Sequence, residues 1–271
     1  MKKALAFVLA LLLLPGMAVG AAADRLDDIL SARKIVIATC PDFAPLEFRD
    51  PTKVGQAAIV GAEVELMKYI AKRMGVELVI EEMTLTETLD AVMDGRVDMA
   101  VSGFAWTQQR ADRVALSDFY SFEDKRSPNQ GLLILKKNAN AYKTARDFAG
   151  KQVAVQRGTL QYDLLIAQIP SAKPVIVENL NEAVQRLKSG KVDAVGVAYE
   201  NGKHFVTDNP DELVMSQFIY KYSGDGNVLA MKKGEEALMT LINAILFEIQ
   251  ALDLLPKWCR DALALAASLG L

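Results

Sequence analysis

The stretch "ETLDAVMDGRVDMAVSG", residues 87 to 103, runs from an amphipathic helix through a glycine exit to a basic residue, a Val-Asp pair and a short apolar strand. The same order of parts recurs far along the chain as "NEAVQRLKSGKVDAVGVA", residues 181 to 198. A chain that writes one α/β unit twice predicts two α/β lobes. Each copy also has a matching run before it. "KIVIATCPDFAPL" (34 to 46) and "KQVAVQRGTLQYD" (151 to 163) are β-rich strands that break into a loop before a helix. Between the first pair, "GAEVELMKYIAKRMGVELVIEE" carries Leu66, Ile70 and Met74 at four-residue spacing, then Gly75 as a helix stop, then a strand from Val76 to Ile80. Strands alternating with helices imply mostly parallel sheets covered by helices. After the second copy, "GDGNVLAMKKGEEALMTLINAILFEIQ" supplies a glycine turn, one more strand and a long helix, and a helical tail follows around Leu255 to Leu265. In open sheets of this kind ligands sit at the carboxyl ends of the strands, so two facing lobes line a cleft.

Composition narrows the function classes. With 271 residues, 51% hydrophobic and 24% charged, the chain is long enough for one large or two modest globular domains. Met1, Lys2 and Lys3, the apolar run Ala4 to Leu14, then Pro15, Gly16 and small residues to Ala23 read as a secretory signal over 1–23, cleaved after Gly20 or one of Ala21 to Ala23. That apolar run is shorter than the roughly 20 residues of a spanning helix, and no comparable stretch is expected later. No cysteine lies near the cleavage region, so no lipid anchor is expected. Removing Lys2 and Lys3 leaves 29 basic against 34 acidic side chains, a balance that argues against a nucleic-acid partner. Cys40 and Cys259 could pair in an oxidising compartment, and the sequence alone leaves that open.

The most diagnostic block is "SGFAWTQQRADRVALSDFY" (102 to 120), preceded by "ATCPDFAPLEF" and "VGAEVELMKYIAKRMG" and followed by "KQVAVQRGTLQ", "LKSGKVDAV" and "GDGNVLAMKK". Six such motifs in this order resemble the periplasmic solute-binding proteins of ABC importers, in the family that binds polar amino acids (family 3), over about Asp24 to Trp258. The resemblance implies an α/β, two-lobe, type II periplasmic-binding-protein fold with two mixed sheets joined by a two-segment hinge. Lobe 1 would comprise 24–122 and 224–271, lobe 2 would comprise 129–218, and the crossings would be 121–130 and 218–227. Glycines and a Ser-Pro pair in those crossings suit positions that absorb the backbone rotation of closure. The implied protein is a periplasmic monomer. It captures an amino acid or related small carboxylate and presents it to a membrane permease, without a cofactor or metal.

The resemblance also implies roles for single residues. Arg110 falls where the family clamps the ligand's α-carboxylate, and a planar guanidinium suits that task; the plainer reading is a surface arginine paired with Asp112 or Asp118. Ser102 and Gly103 match positions that contact the ligand, unless they are an ordinary exit from a strand. Phe43 aligns with an aromatic that covers the ligand, or is a core aromatic beside Pro45. Gly158 and Thr159 match a loop at a helix start, where free N–H groups favour an anion and a hydroxyl caps the helix.

Four positions depart from the family pattern. Ala198 stands where an aspartate usually meets the ligand's ammonium, Ala105 and Leu160 replace hydroxyl residues, and Cys40 replaces an acid. The pocket is therefore expected to have lost polar partners. Burying an unpaired ammonium costs several kcal/mol, so either Glu200 or another acid reaches in, or the ligand has no α-ammonium. Leu85 and Trp106 would suit an apolar portion of the ligand. Two other classes are weighed against transport. A dehydratase-like enzyme acting on a cyclic carboxylate could use Glu200 as an acid, but the chain has one histidine, His204, and no usual metal-ligand set. A receptor's sensor domain would need a following transmembrane segment, and none is expected here.

Overall fold

The computed structural model describes residues 24–121, 130–222, 224 and 226–271. The expected signal over 1–23 and most of the first crossing lie outside the described residues.

Helix α1 (Arg25–Ala32) leads into strand β1 (Lys34–Thr39). Strands β2 (Asp42–Phe43), β3 (Glu47–Arg49) and β4 (Ile59–Val60) form a small antiparallel sheet beside it. Then come α2 (Ala62–Met74), β5 (Glu77–Glu82), α3 (Leu85–Met93), β6 (Met99–Ala100), α4 (Gln108–Arg113) and β7 (Ala115–Leu116). The second lobe contains β8 (Gln130–Leu135), β9 (Gln152–Gln156), α5 (Leu160–Gln168), β10 (Lys173–Val177), α6 (Leu180–Lys188), β11 (Ala194–Ala198), α7 (Tyr199–Asp208) and β12 (Leu213–Ile219). The chain returns through β13 (Ala230–Met231), α8 (Glu236–Ala251) and α9 (Leu254–Leu269).

The two large sheets have the same plan. One is ordered β5-β1-β6-β13-β7 and the other β10-β9-β11-β8-β12. In each, three parallel strands carry the repeated unit, one strand antiparallel to them (β13 or β8) comes next, and the edge strand (β7 or β12) is antiparallel to that one. Both are therefore mixed rather than purely parallel. The first core joins β1 (Ile35, Ile37), the inner face of α2 (Leu66, Ile70) and the returning α8 (Leu238, Ile242, Leu246), all at most 0% exposed. Burying each such side chain contributes about 1.5–3 kcal/mol. Gly75 ends α2 at φ 70° in the left-handed region, as the sequence predicts.

The aspartate of the repeated Val-Asp has one job in both lobes. Asp98 Oδ2 accepts from the Val36 amide at the start of β1 at 2.6 Å, and Asp193 Oδ2 accepts from the Gln152 amide at the start of β9 at 2.9 Å. Each ties the strand it precedes to the strand alongside.

Helix α2 begins without a side-chain cap. Its first amides are satisfied instead by the turn between β2 and β3, with Ala62 donating to the Pro45 carbonyl at 3.0 Å and Glu63 to that of Leu46 at 2.9 Å. Gly61 is required at that contact. Its φ is 136°, and a Cβ there would lie 2.1 Å from the Leu46 oxygen. The docking holds Glu63 of the helix and Glu47 of the hairpin in one buried place.

Candidate functional site

A cleft runs between the lobes, and eight of the nine residues singled out from the sequence line it. From the first lobe come Phe43, Ser102, Gly103, Ala105 and Arg110, and from the second Thr159, Leu160 and Ala198. Gly158 is the ninth. It reaches the site through its carbonyl, which accepts from Arg110 Nη2 at 3.0 Å.

Arg110 lies on α4, whose N-cap Thr107 accepts from the Arg110 amide at 3.2 Å. The side chain is 6% exposed, so the surface pairing with Asp112 or Asp118 does not occur. Nη1 donates to the Ala105 carbonyl, and the guanidinium lies 5.1 Å from the centroid of Phe104. Among the described residues it has no salt bridge. Burial pushes its pKa down to about 10, countered in part by Asp163 and Tyr222. A buried cation held by neutral carbonyls calls for an anion.

Beside it, the loop after β9 enters α5. Thr159 is the N-cap, its hydroxyl accepting from the Tyr162 amide at 3.3 Å and donating to the Gln156 carbonyl at 2.8 Å. Thr159 caps α5 and also lines the cleft. Phe43 is half-buried, and its ring lies against Gly103, where a Cβ would come within 2.6 Å of Cε1. It also packs on the second lobe's core. The glycine makes room for the Phe43 ring.

Ser102 and Gly103 are engaged from behind. The Ser102 hydroxyl accepts from the Cys40 amide at 3.1 Å and donates to Glu47 at 3.0 Å, while the Gly103 amide donates to Glu63 at 2.8 Å. Glu63 further accepts from the Tyr120 hydroxyl at 2.7 Å and from Asn227 at 3.4 Å. Glu47 and Glu63 also contact one another, and both are 0% exposed. Two carboxylates have no hydrogen to share, so one of the pair must keep its proton. Burial, with the charge of Glu63 beside it, pushes Glu47 well above the usual carboxylate range. Burial raises Glu63 too, but four donors oppose that shift. Glu47 is thus the neutral acid. Its proton belongs in the contact with Glu63, and its Oε2 has no other hydrogen-bond partner among the described residues.

The expectation of a pocket stripped of polar partners needs correcting. Asp42 and Glu47 line the cleft, as do Gln130, Gln156 and Gln161. Asp42 Oδ1 accepts from the Cys40 thiol at 3.3 Å, and Oδ2 accepts across the cleft from Gln156 Nε2 at 3.1 Å and the Leu180 amide at 3.2 Å. Burial raises the Asp42 pKa, and these three donors oppose it. Asp42 is not legible from single family positions, because its place is defined by the Cys40 thiol across a tight turn and by Gln156 and Leu180 across the cleft. Ala198 is the N-cap of α7 without a side-chain cap bond, and Leu160 opens α5. Ala105 pairs in an isolated bridge with Asn227.

Leu85 lines the cleft, but Trp106 does not; it is 42% exposed. The Glu200 side chain lies outside the described residues. Cys40 and Cys259 form no disulfide. Burial, with the charge of Asp42, pushes the Cys40 thiol far up, so it stays protonated. Among the described residues no cluster of histidine, cysteine and acids suits a metal ion, and no single helix is long and apolar enough to cross a membrane.

Two facing lobes, each an α/β sheet, with a ligand-sized cleft at their strand ends, define a type II binding protein of the periplasmic kind. The profile of the bacterial extracellular solute-binding proteins, family 3, matches residues 35–258, and the chain belongs to that family. It is 28% identical over 200 residues to a probable histidine-binding protein of Campylobacter jejuni, covering 74% of this chain and 73% of that one. It is 26% identical over 209 residues to the arginine-binding extracellular protein ArtP of Bacillus subtilis, covering 75% and 76%. Among solved structures, the amino acid ABC transporter substrate-binding protein AbpA of Streptococcus pneumoniae bound to L-arginine superposes with a TM-score of 0.80 at 30% identity, over 89% of this chain and 98% of that one. An ancestral amino acid-binding protein described as a precursor of cyclohexadienyl dehydratase matches with a TM-score of 0.77 at 25% identity, over 89% and 100%.

Proposed function

We propose that the protein is the extracytoplasmic solute-binding component of an ABC importer, closing its lobes on an amino acid or a related small carboxylate and handing it to a membrane permease. The observation that carries this reading is Arg110, a buried guanidinium in the cleft whose hydrogen-bond partners are carbonyls. A ligand carboxylate would pair with it bidentately, and the start of α5 beside it would add backbone donors. Exclusion of water in the closed cleft strengthens that pair. The arginine- and histidine-binding names of the relatives agree with a zwitterionic or cationic amino acid.

In this reading residues 1–23 are a signal removed on export and the protein works in the periplasm as a monomer. Residues 24–122 with 224–271 form one lobe, 129–218 the other, and the crossings at 121–130 and 218–227 act as the hinge. Binding and release are its whole chemistry. The carboxyl side chains lining the cleft, Asp42 and Glu47, are tied to donors and acceptors of the chain itself, which suits recognition better than proton transfer.

A thermal-shift screen of ligand-stripped protein against amino acids, keto acids and aromatic carboxylates tests the reading. Ligand at 100 times its Kd adds about 2.7 kcal/mol of stability. Arg110→Ala should then lower the affinity of the best ligand by at least about 100-fold, because its carboxylate would be buried unpaired. A folded variant with unchanged affinity in titration calorimetry would refute the role of Arg110.

A further inference from the structure

The hairpin of β2 and β3 has two sides. Phe43 and Glu47, which pair across it, line the ligand cleft, whereas Ala44 and Phe48 line a second cavity of about 340 Å³. The opposite wall of that cavity is the second lobe, with Gln185 on α6 and Asn201 and Phe205 on α7. There Asn201 Nδ2 donates to the Ala44 carbonyl, a hydrogen bond from one lobe to the other. An amide side chain facing a carbonyl must present its nitrogen. Asn201 is 5% exposed. Neither it nor Ala44 lines the ligand cleft.

Both partners are firmly mounted. The Pro45 and Leu46 carbonyls, next in the chain after Ala44, accept from the first amides of α2, which fixes the hairpin to the first lobe. On the other side Gly202 brings α7 close against β11 and β12: a Cβ there would lie 2.2 Å from Met215 Sδ and 2.9 Å from Val197 Cγ2. The bond between them therefore forms only when the lobes come together. The other side-chain hydrogen bonds between the lobes, among the described residues, each involve Arg110, Asp42 or Gln156. Those three line the ligand cleft, where a ligand can rearrange them. The bond of Asn201 stands apart from the ligand.

We propose that Asn201 is a positioning residue that holds the lobes in their closed arrangement without touching the ligand. A ligand that binds the closed form has an apparent Kd equal to its intrinsic Kd divided by the closed fraction. A contact made only in the closed form raises that fraction, and with it the affinity of every ligand by one common factor. This rests on the reading that the lobes close on a ligand, and it is independent of which ligand that is.

The test compares the native mature protein with Asn201→Asp. A carboxylate keeps the shape of the amide but cannot donate to the Ala44 carbonyl. It also falls in the first turn of α7, where the helix dipole favours a negative charge, so the bond is broken without weakening the helix. Titration calorimetry with L-arginine and L-histidine should show the same loss for both, about 10-fold. Stopped-flow kinetics should place that loss in the dissociation rate, with association changed by less than about twofold. A loss for one amino acid alone would make Asn201 a ligand contact, and no loss for either would mean that its bond does not bear on closure; both overturn the proposal. A loss seen in the association rate, or accompanied by a lower urea midpoint, would mark damage to the second lobe and would overturn it too. If the native protein binds only one of the two amino acids, or neither, small-angle scattering of the ligand-free proteins decides instead. A larger radius of gyration for Asn201→Asp supports the proposal, and equal radii overturn it. Failure of the native protein to bind either one counts against an amino-acid ligand and leaves Asn201 to that measurement.

Discussion

The two copies of the α/β unit start alike and finish differently. At the start, Asp98 and Asp193 each accept from the amide of the neighbouring strand, in the same register and with nearly the same geometry. At the finish, β6 runs out into Ser102 and Gly103, both bonded to a buried carboxyl pair, whereas β11 runs out into Ala198, a helix cap without a side-chain bond. The first lobe carries the carboxyl and guanidinium groups of the cleft, Asp42, Glu47 and Arg110. The second presents backbone amides, Thr159 and three glutamines. What the repeat preserves is the device that registers strands, and what it varies is the strand end where ligands are read. Fold and site are written in neighbouring but separable residues.

The largest expected effect breaks that contrast at the first lobe. Glu63→Ala removes the acceptor shared by Glu47, Tyr120, Gly103 and Asn227, which joins α2, the strand end and the returning chain. Buried donors left without a partner make this costly, so denaturant unfolding should show a loss of about 3–5 kcal/mol. A loss under about 1 kcal/mol would mean that the first strand end is no more tightly built than the second.

A smaller effect, in binding rather than stability, makes the second lobe more like its relatives. Ala198→Asp places an acid at the end of β11, where an α-ammonium would lie if the ligand carboxylate is on Arg110. Binding of an ordinary α-amino acid should gain about 1.5–3 kcal/mol, and its keto acid, with no cation to meet the new charge, should lose affinity. Paired titrations of native and variant protein measure both. Equal changes for the two ligands would show that the side chain at 198 does not face the ammonium.

The repeat, the helix stops and the strand-end residues were legible in the sequence because each is a local pattern: period, glycine, cap. Arg110 was legible through its surrounding block. Asp42 and the Glu47–Glu63 pair were not, since their meaning depends on contacts between distant segments. Asp42 is defined by Leu180 and Gln156, and Glu47 by a helix that docks on its own hairpin. Nothing in "PDFAPLEF" distinguishes Glu47, which is fully buried, from Asp42, which faces the ligand space. The hinge crossings, expected from glycines and a Ser-Pro pair, fall partly outside the described residues.

The last effect, which depends on pH, tests the proton that this contact requires. The native pair holds Glu47 neutral because burial and the charge of Glu63 penalise a second carboxylate. In the unfolded chain the same side chain titrates at its ordinary value, near 4.5. The folded state therefore binds more protons than the unfolded state once the pH exceeds about 4.5. The stability contributed by Glu47 is complete below that pH and is lost as the pH rises toward the folded value, by up to about 1.4 kcal/mol per pH unit for one proton. Glu47→Gln carries a permanent donor in place of the protonated oxygen, so its amide can still donate to Glu63 and accept from Ser102, and it has no proton to lose. Native and variant proteins should be nearly equal in stability at pH 4.5, and the variant should become progressively the more stable of the two between pH 5 and 8. Urea midpoints across that range measure the gap. Parallel stability curves would show that the two carboxyls do not share a proton in the folded protein, and the first lobe's strand end would then be held by Ser102 and Gly103 against two separate charges.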